Sequence, residues 1–239
     1  MFFVKLSFNK MAKIIDKIAY KIITERAEFQ NKKGFVQKYL FVTDKVRYFF
    51  ARKFLKGNKI LNIACRNGHG SKFLSNNKDE VIGIDNSEKA IQTAKRNYKG
   101  LRFEIGDAHN IKYKDNFFDS VVSIETIEHV KYPKKFISEI KRVIKKGGIF
   151  VISTPNKKVE NKVCKNPFHI SLMDKKDLFT LLKKDFQILG VYYQAPIIKK
   201  PFFMPYLSYI SSSIFLSKKI IRHKKNRTGI CYLVICKKK

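Results

Sequence analysis

The stretch Lys59-Ile-Leu-Asn-Ile-Ala-Cys-Arg-Asn-Gly-His-Gly-Ser71 decides how the rest of the chain is read. Ile60, Leu61, Ile63 and Ala64 form an apolar run too short for a helical period before Gly68, which predicts a buried parallel strand. Gly68 and Gly70 permit a tight turn and close backbone approach to a ligand. Ser71 to Asn76 reads as the start of a helix, whose first amides can hold an anion. Strand, glycine turn and helix N-terminus together describe a nucleotide-type pocket.

Seventeen residues beyond Gly68, the run Glu80-Val-Ile-Gly-Ile-Asp85 ends in a carboxylate. A doubly wound sheet holds a ribose diol at the end of its second strand. Asp85 can equally cap the next helix, which Asn86, Ser87 and Glu88 open, and the two roles are compatible. A third strand, Leu101 to Gly106, ends in Asp107-Ala108, where an acid or amide meets an adenine amine. Over about residues 43 to 194 the chain resembles the class I S-adenosylmethionine-dependent methyltransferases. The resemblance implies an α/β fold: a doubly wound, Rossmann-like sheet of seven mostly parallel strands with an antiparallel last strand, preceded by N-terminal helices. It also implies S-adenosyl-L-methionine as cofactor, contacted by Arg47, Asn62, Ala64, Arg66, Gly68, Gly70, Asp85, Asn86, Asp107, Ala108 and Glu125. Arg47 and Tyr48 stand where such enzymes lay an arginine and an aromatic ring over the methionine end.

At 239 residues the chain is long enough for one domain with a sizeable core. Its 51 Lys and Arg against 19 acids, a formal charge of +32, invite a nucleic-acid or anionic-membrane partner. The lysines are spread through every segment, however, so a general bias toward Ile, Asn, Lys and Phe explains the charge equally well, and nucleic acid is not expected. Cys65, Cys164, Cys231 and Cys236 form no CxxC pair and no metal-ligand spacing; they read as apolar fillers of a reducing compartment, and no metal is expected. Residues 1–33 lack signal-peptide features, so a cytoplasmic protein is expected. Residues 1–42 read as a helical extension, with an amphipathic helix over 11–29, and 43–239 as the methyltransferase domain. Thr43 to Phe54 reads as a helix with Val46, Phe49, Phe50 and Phe54 on one side.

Phe117 to Ile124 reads as a fourth buried strand, followed at once by Glu125-Thr-Ile-Glu-His129. This lies outside the strand's carboxyl end, where open α/β sheets bind ligands. The segment resembles methyltransferases of the ubiquinone-pathway type, which implies Glu125 near the cofactor's amino group and Glu128 and His129 toward the acceptor. Pro133 opens a helix running to about Lys145, and Gly147-Gly148 is expected to stop it before a fifth strand to Thr154. Glu139 to Gly148 resembles a packing signature of the same enzymes. Asn166-Pro-Phe-His169 resembles a subset associated with surface-glycan pathways, so His169 is either a base or a lid anchor. Strands six and seven are Phe186 to Tyr193 and Gly229 to Cys236, with an insertion over 195–228. Its seventeen uncharged residues, Pro201 to Ser217, precede a basic cluster, so 201–225 either packs over the acceptor pocket or touches a membrane peripherally.

Two residues depart from the family pattern. Asn62 replaces the usual acid of the first strand, and Arg66 replaces a glycine at the turn nearest the cofactor's carboxylate. Arg66 either pairs with that carboxylate or crowds it. The expected reaction is methyl transfer to a hydroxyl of a small-molecule, glycan or lipid-linked acceptor (a quinone precursor among them), with His129 or His169 removing the proton. The alternatives are a catalytically silent cofactor-binding protein and a basic nucleic-acid binder.

Overall fold

A computed structural model describes residues 35–76, 79–163, 166–194, 220–222, 229 and 231–239. The expected helix over 11–29 and nearly all of the 195–228 insertion, including most of 201–225, lie outside them. Helix α1 (Phe35–Arg52) leads into β1 (Lys59–Ile63), α2 (His69–Leu74), β2 (Glu80–Asp85), α3 (Glu88–Asn97) and β3 (Arg102–Ile105). Then come β4 (Phe118–Ile124), a 3₁₀ turn (Ile127–His129), α4 (Pro133–Val143), β5 (Ile144–Pro155) and α5 (Lys157–Val163). Helix α6 (Lys175–Lys183), β6 (Phe186–Gln194), β7 (Ile220–Arg222) and β8 (Cys231–Lys238) complete the described chain.

The strands form one sheet in the order β3-β2-β1-β4-β5-β8-β6-β7. The first five run parallel, and β8 runs antiparallel between β5 and β6. This is the expected seven-stranded doubly wound sheet, with the short β7 added at one edge. Both faces are covered, as a parallel sheet requires, because alternate residues of one strand enter opposite clusters. Leu61, Phe150 and Ile152 pack with Phe136 and Ile140 of α4. Ile60, Ile149 and Val151 pack on the other face with Tyr48 and Ala51 of α1. Strand order reverses between β1 and β4, and the register there pairs Ile63 with Ile84 on one side and with Ser123 on the other. The residues that follow, Ala64, Asp85 and Glu125, therefore emerge along one edge at the switch point, where such sheets bind ligands.

Two elements differ from the sequence reading. Helix α1 begins at Phe35 rather than Thr43, and its buried face is Arg47, Tyr48 and Ala51, while Phe49 is exposed. Tyr48 turns inward because its hydroxyl reaches the Asn62 side chain and its ring lies over Gly70, where an added Cβ would stand 2.2 Å from ring carbon Cζ. Gly147-Gly148 does not separate α4 from the fifth strand, since β5 starts at Ile144, directly after the helix. Ile144 pairs with Phe118 across an irregularity in the ladder, so strand pairing, rather than the glycine pair, ends the helix.

Candidate active site

The turn after β1 is built from two residues in the left-handed region, Ala64 (φ 54°) and Arg66 (φ 52°), before Gly68 (φ 87°). A side chain in that region costs about 1–3 kcal/mol, so something must hold the turn. Asp85 does so: its Oδ2 accepts the Arg66 amide at 2.9 Å, and its Oδ1 accepts the Ser87 amide at 2.9 Å. Ser87 in turn caps α3 through the Ala90 amide. A carboxylate has about four acceptor positions, so two remain on Asp85 for a diol. Bracing the turn therefore leaves Asp85 room for the ligand role expected of it. Asn86 is exposed beside it.

The glycines of the motif serve packing. An added Cβ at Gly68 would meet Phe103, Ala94 and Tyr98 at 2.7–2.9 Å, and Gly70 is closed by Tyr48. Asn62 is wholly buried, its Oδ1 accepting from the Tyr48 hydroxyl at 3.4 Å and its Nδ2 donating to Ser71 Oγ at 3.0 Å. An amide fits there better than an acid, because one end must accept and the other donate.

Over this turn α1 places a charge cluster that the sequence reading located only in part. Buried Arg47 donates from Nε to Gln194 Oε1 at 2.8 Å and from Nη1 to Asp44 Oδ1 at 2.9 Å, with Glu125 Oε2 3.8 Å from Nη1. Asp44 also lies 3.8 Å from Arg66 Nη1 and 3.7 Å from His69 Nε2. Burial alone would raise the Asp44 carboxyl, but His69, Arg47 and Arg66 together hold it below the usual range. Arg66 itself is 70% exposed, reaching toward the open side of the turn. Asp44 was foreshadowed only by its three-residue spacing from Arg47 on a helix. Gln194, 147 residues from Arg47, had no local signal. On the far side of the edge Asp107 is exposed, accepting the His109 amide at 2.8 Å, with Ala108 half-buried against the core.

The second half of the site stands on β4 and β5. Glu125 (φ 50°) accepts the Ser153 hydroxyl at 2.8 Å. Glu128 is fully buried; Oε2 accepts the Thr154 hydroxyl at 3.1 Å, while Oε1 has no hydrogen-bond partner among the described residues. Burial, reinforced by the neighbouring charge of Glu125, pushes its carboxyl well above the usual range. His129 Nδ1 lies 2.9 Å from the Phe168 carbonyl. That oxygen can only accept, so Nδ1 carries a proton, and in the neutral ring the lone pair lies on Nε2. His169 is held within its own loop: Nδ1 meets Glu160 Oε1 at 2.7 Å, and Nε2 meets Asn166 Nδ2 at 3.0 Å. The Asn166 amide is oriented by the Phe168 N–H, which donates to its Oδ1.

The two histidine rings stand edge to face at 4.7 Å, although no sequence spacing links them. One ligating atom from each of Glu128, His129 and His169 lies within 4.8 Å of the other two. The Asp85 edge and the Glu128–His129–His169 group therefore meet at the switch point. Carboxylates (Asp85, Glu125) and a guanidinium (Arg66) along that edge match in kind the diol, ammonium and carboxylate of S-adenosylmethionine.

Comparison with known proteins agrees with this architecture. A family model described as a methyltransferase domain matches residues 55–192. The ubiquinone biosynthesis O-methyltransferase of Pelagibacter ubique is 34% identical over 113 residues, covering 46% of this chain and 47% of that protein. The phthiotriol/phenolphthiotriol dimycocerosates methyltransferase of Mycobacterium tuberculosis is 30% identical over 100 residues, 40% of this chain and 37% of that one. The chain thus spans less than half the length of these two relatives. The crystal structure of a SAM-dependent methyltransferase from Thermotoga maritima superposes with a TM-score of 0.65 at 18% identity, covering 93% of this chain and 99% of that one. With the family model spanning more than half of its residues and the fold and switch-point edge in agreement, the chain belongs to the class I S-adenosylmethionine-dependent methyltransferases.

Proposed function

We propose that the protein transfers a methyl group from S-adenosylmethionine to a hydroxyl of a small-molecule, glycan or lipid-linked acceptor. The observation that carries the reading is the hydrogen bond between His129 Nδ1 and the Phe168 carbonyl. Its Nδ1 proton is committed to the Phe168 carbonyl, so in the neutral ring the lone pair lies on Nε2, which this reading turns toward the acceptor. A hydroxyl must lose its proton as it attacks, and a base beside it takes that proton. When bound, the cofactor supplies an already activated methyl on its sulfonium, so the protein's task is alignment and proton removal. Asp85, Arg47, Arg66 and Glu125 hold the cofactor, and His129 meets the hydroxyl. His169, with both ring nitrogens engaged by Glu160 and Asn166, anchors the 166–169 loop over the same space.

Tyr132, Phe168 and Ile170 are exposed large apolar residues next to these histidines in sequence, which favours an acceptor with an apolar body. The described residues include no helix long and apolar enough to cross a membrane. The test is transfer of labelled methyl from S-adenosylmethionine to matched phenol, sugar-alcohol and amine acceptors carrying apolar groups. Label in the hydroxyl compounds, lost with His129→Ala, is the expected result. Label confined to the amines would overturn the assignment.

A further inference from the structure

Glu128, His129 and His169 share a feature that proton transfer alone does not require. Each histidine has Nδ1 bound to an oxygen outside the cluster, His129 to the Phe168 carbonyl at 2.9 Å and His169 to Glu160 Oε1 at 2.7 Å. Both rings are thereby fixed with the lone pair on Nε2. Carboxylates and carbonyls in that outer position are how metal-binding histidines are oriented and made more basic. The third member, Glu128, is completely buried and keeps Oε1 without a hydrogen-bond partner, 3.9 Å from His129 Nε2. A buried carboxylate oxygen left unsatisfied is costly unless something positive sits against it.

We infer that Glu128 Oε1, His129 Nε2 and His169 Nε2 form a binding site for a divalent transition-metal cation. Two imidazoles and one carboxylate are a donor set suited to zinc or cobalt, with coordination positions left over. Donors about 2.1 Å from a tetrahedral centre stand roughly 3.4 Å apart. One ligating atom from each residue, all within 4.8 Å of one another, would close by up to about 1.4 Å. His169 would exchange its Asn166 hydrogen bond for the metal and keep its Glu160 partner. Resting on the hydroxyl-acceptor reading above, the cation has a use: a hydroxyl bound to it loses its proton to solvent more readily. His129 is then the ligand through which the hydroxyl is activated. The oxygen–carbon bond forms as the sulfur–carbon bond breaks, the sulfonium leaving as a neutral thioether.

The full chain, stripped with a chelator and dialysed, is titrated with Co²⁺ alone and followed by its visible absorption, with Zn²⁺ as competitor. One equivalent is expected to produce a saturable band that Zn²⁺ displaces. Glu128→Gln and His169→Ala should each weaken binding at least tenfold. Glu160→Gln, which spares all three ligands, should weaken it on the order of 10–100-fold. Thermal melts of each variant check folding, and the Glu160 variant serves as the test if the buried position does not tolerate change. Absence of stoichiometric binding, or binding that Glu128→Gln, His169→Ala and Glu160→Gln all leave unchanged, overturns the site. Because this readout needs neither cofactor nor acceptor, binding without methyl transfer to any hydroxyl would contradict the proposed reaction and leave the site standing. Methyl transfer by a protein that binds no cation would do the reverse.

Discussion

The two halves of the active-site edge are built on opposite plans. On the cofactor side the two key carboxylates already have local answers: Asp85 takes two backbone amides, and Asp44 stands among Arg47, Arg66 and His69. On the acceptor side a buried carboxylate oxygen lacks a hydrogen-bond partner, and two histidines from segments forty residues apart face one another. The first half is shaped before the ligand arrives, which suits a cofactor that must be recognised whole. The second carries unmet acceptor capacity, which suits chemistry.

If that division is right, removing an acceptor-side group should damage turnover and spare cofactor affinity. His129→Ala is expected to lower the rate by on the order of 10²–10⁴-fold with little change in S-adenosylmethionine binding. Rapid-quench turnover and equilibrium binding, measured on one preparation, check this; a parallel loss in both would erase the distinction between the halves.

Gly70→Ala probes the cofactor side through packing alone. Its Cβ would collide with the Tyr48 ring, pushing α1 and its Asp44–Arg47 pair away from the turn. The expected cost is about 1–3 kcal/mol of stability in denaturant unfolding, with weakened cofactor binding. Unchanged values in both would mean that Tyr48 moves aside freely.

Arg66→Gly should split two quantities that usually move together. Relief of the left-handed backbone at φ 52° should raise stability by about 1 kcal/mol. Loss of the guanidinium should weaken cofactor binding in a salt-dependent way. Tighter binding would instead mean that Arg66 crowds the site, and would favour a catalytically silent reading of the turn.

The smallest effect is expected far from either half. Asp119 accepts the Asn58 and Lys59 amides at 3.0 and 2.9 Å and pairs with Lys145 at 2.6 Å. Partial burial raises its carboxyl, but these partners outweigh burial and hold it below the ordinary value of 3.8. A group depressed in the folded state contributes fully above its unfolded value and loses that contribution as pH falls through the folded one. Asp119→Asn should therefore cost about 1 kcal/mol at neutral pH and progressively less in acid, with cofactor binding unchanged.

The contrast between the halves also explains what could be read from the sequence. The sheet was legible because its signals are local: short apolar runs, glycine turns, and Asp85 and Ser87 where a second strand meets a helix. The inward face of α1 was not, because the period of its phenylalanines suggested Phe49, whereas Tyr48 is drawn in by Asn62 and Gly70 from another element. Arg47 is legible on its helix, but its partner Gln194 enters from the far end of the chain. Glu128, His129 and His169 were each visible, yet their meeting depends on how the loop after β5 folds back over β4, and no spacing encodes that.

Asp85 braces the turn through two backbone amides, and its proposed second role is to hold the cofactor's ribose. Isothermal titration of S-adenosylmethionine into the wild-type chain and into folded Asp85→Ala tests it. A single saturable site is predicted, weakened in the variant by roughly 1.5–3 kcal/mol, the scale of hydrogen bonds to a charged group. Equal affinity in the two proteins, or no binding by the wild type, would contradict it.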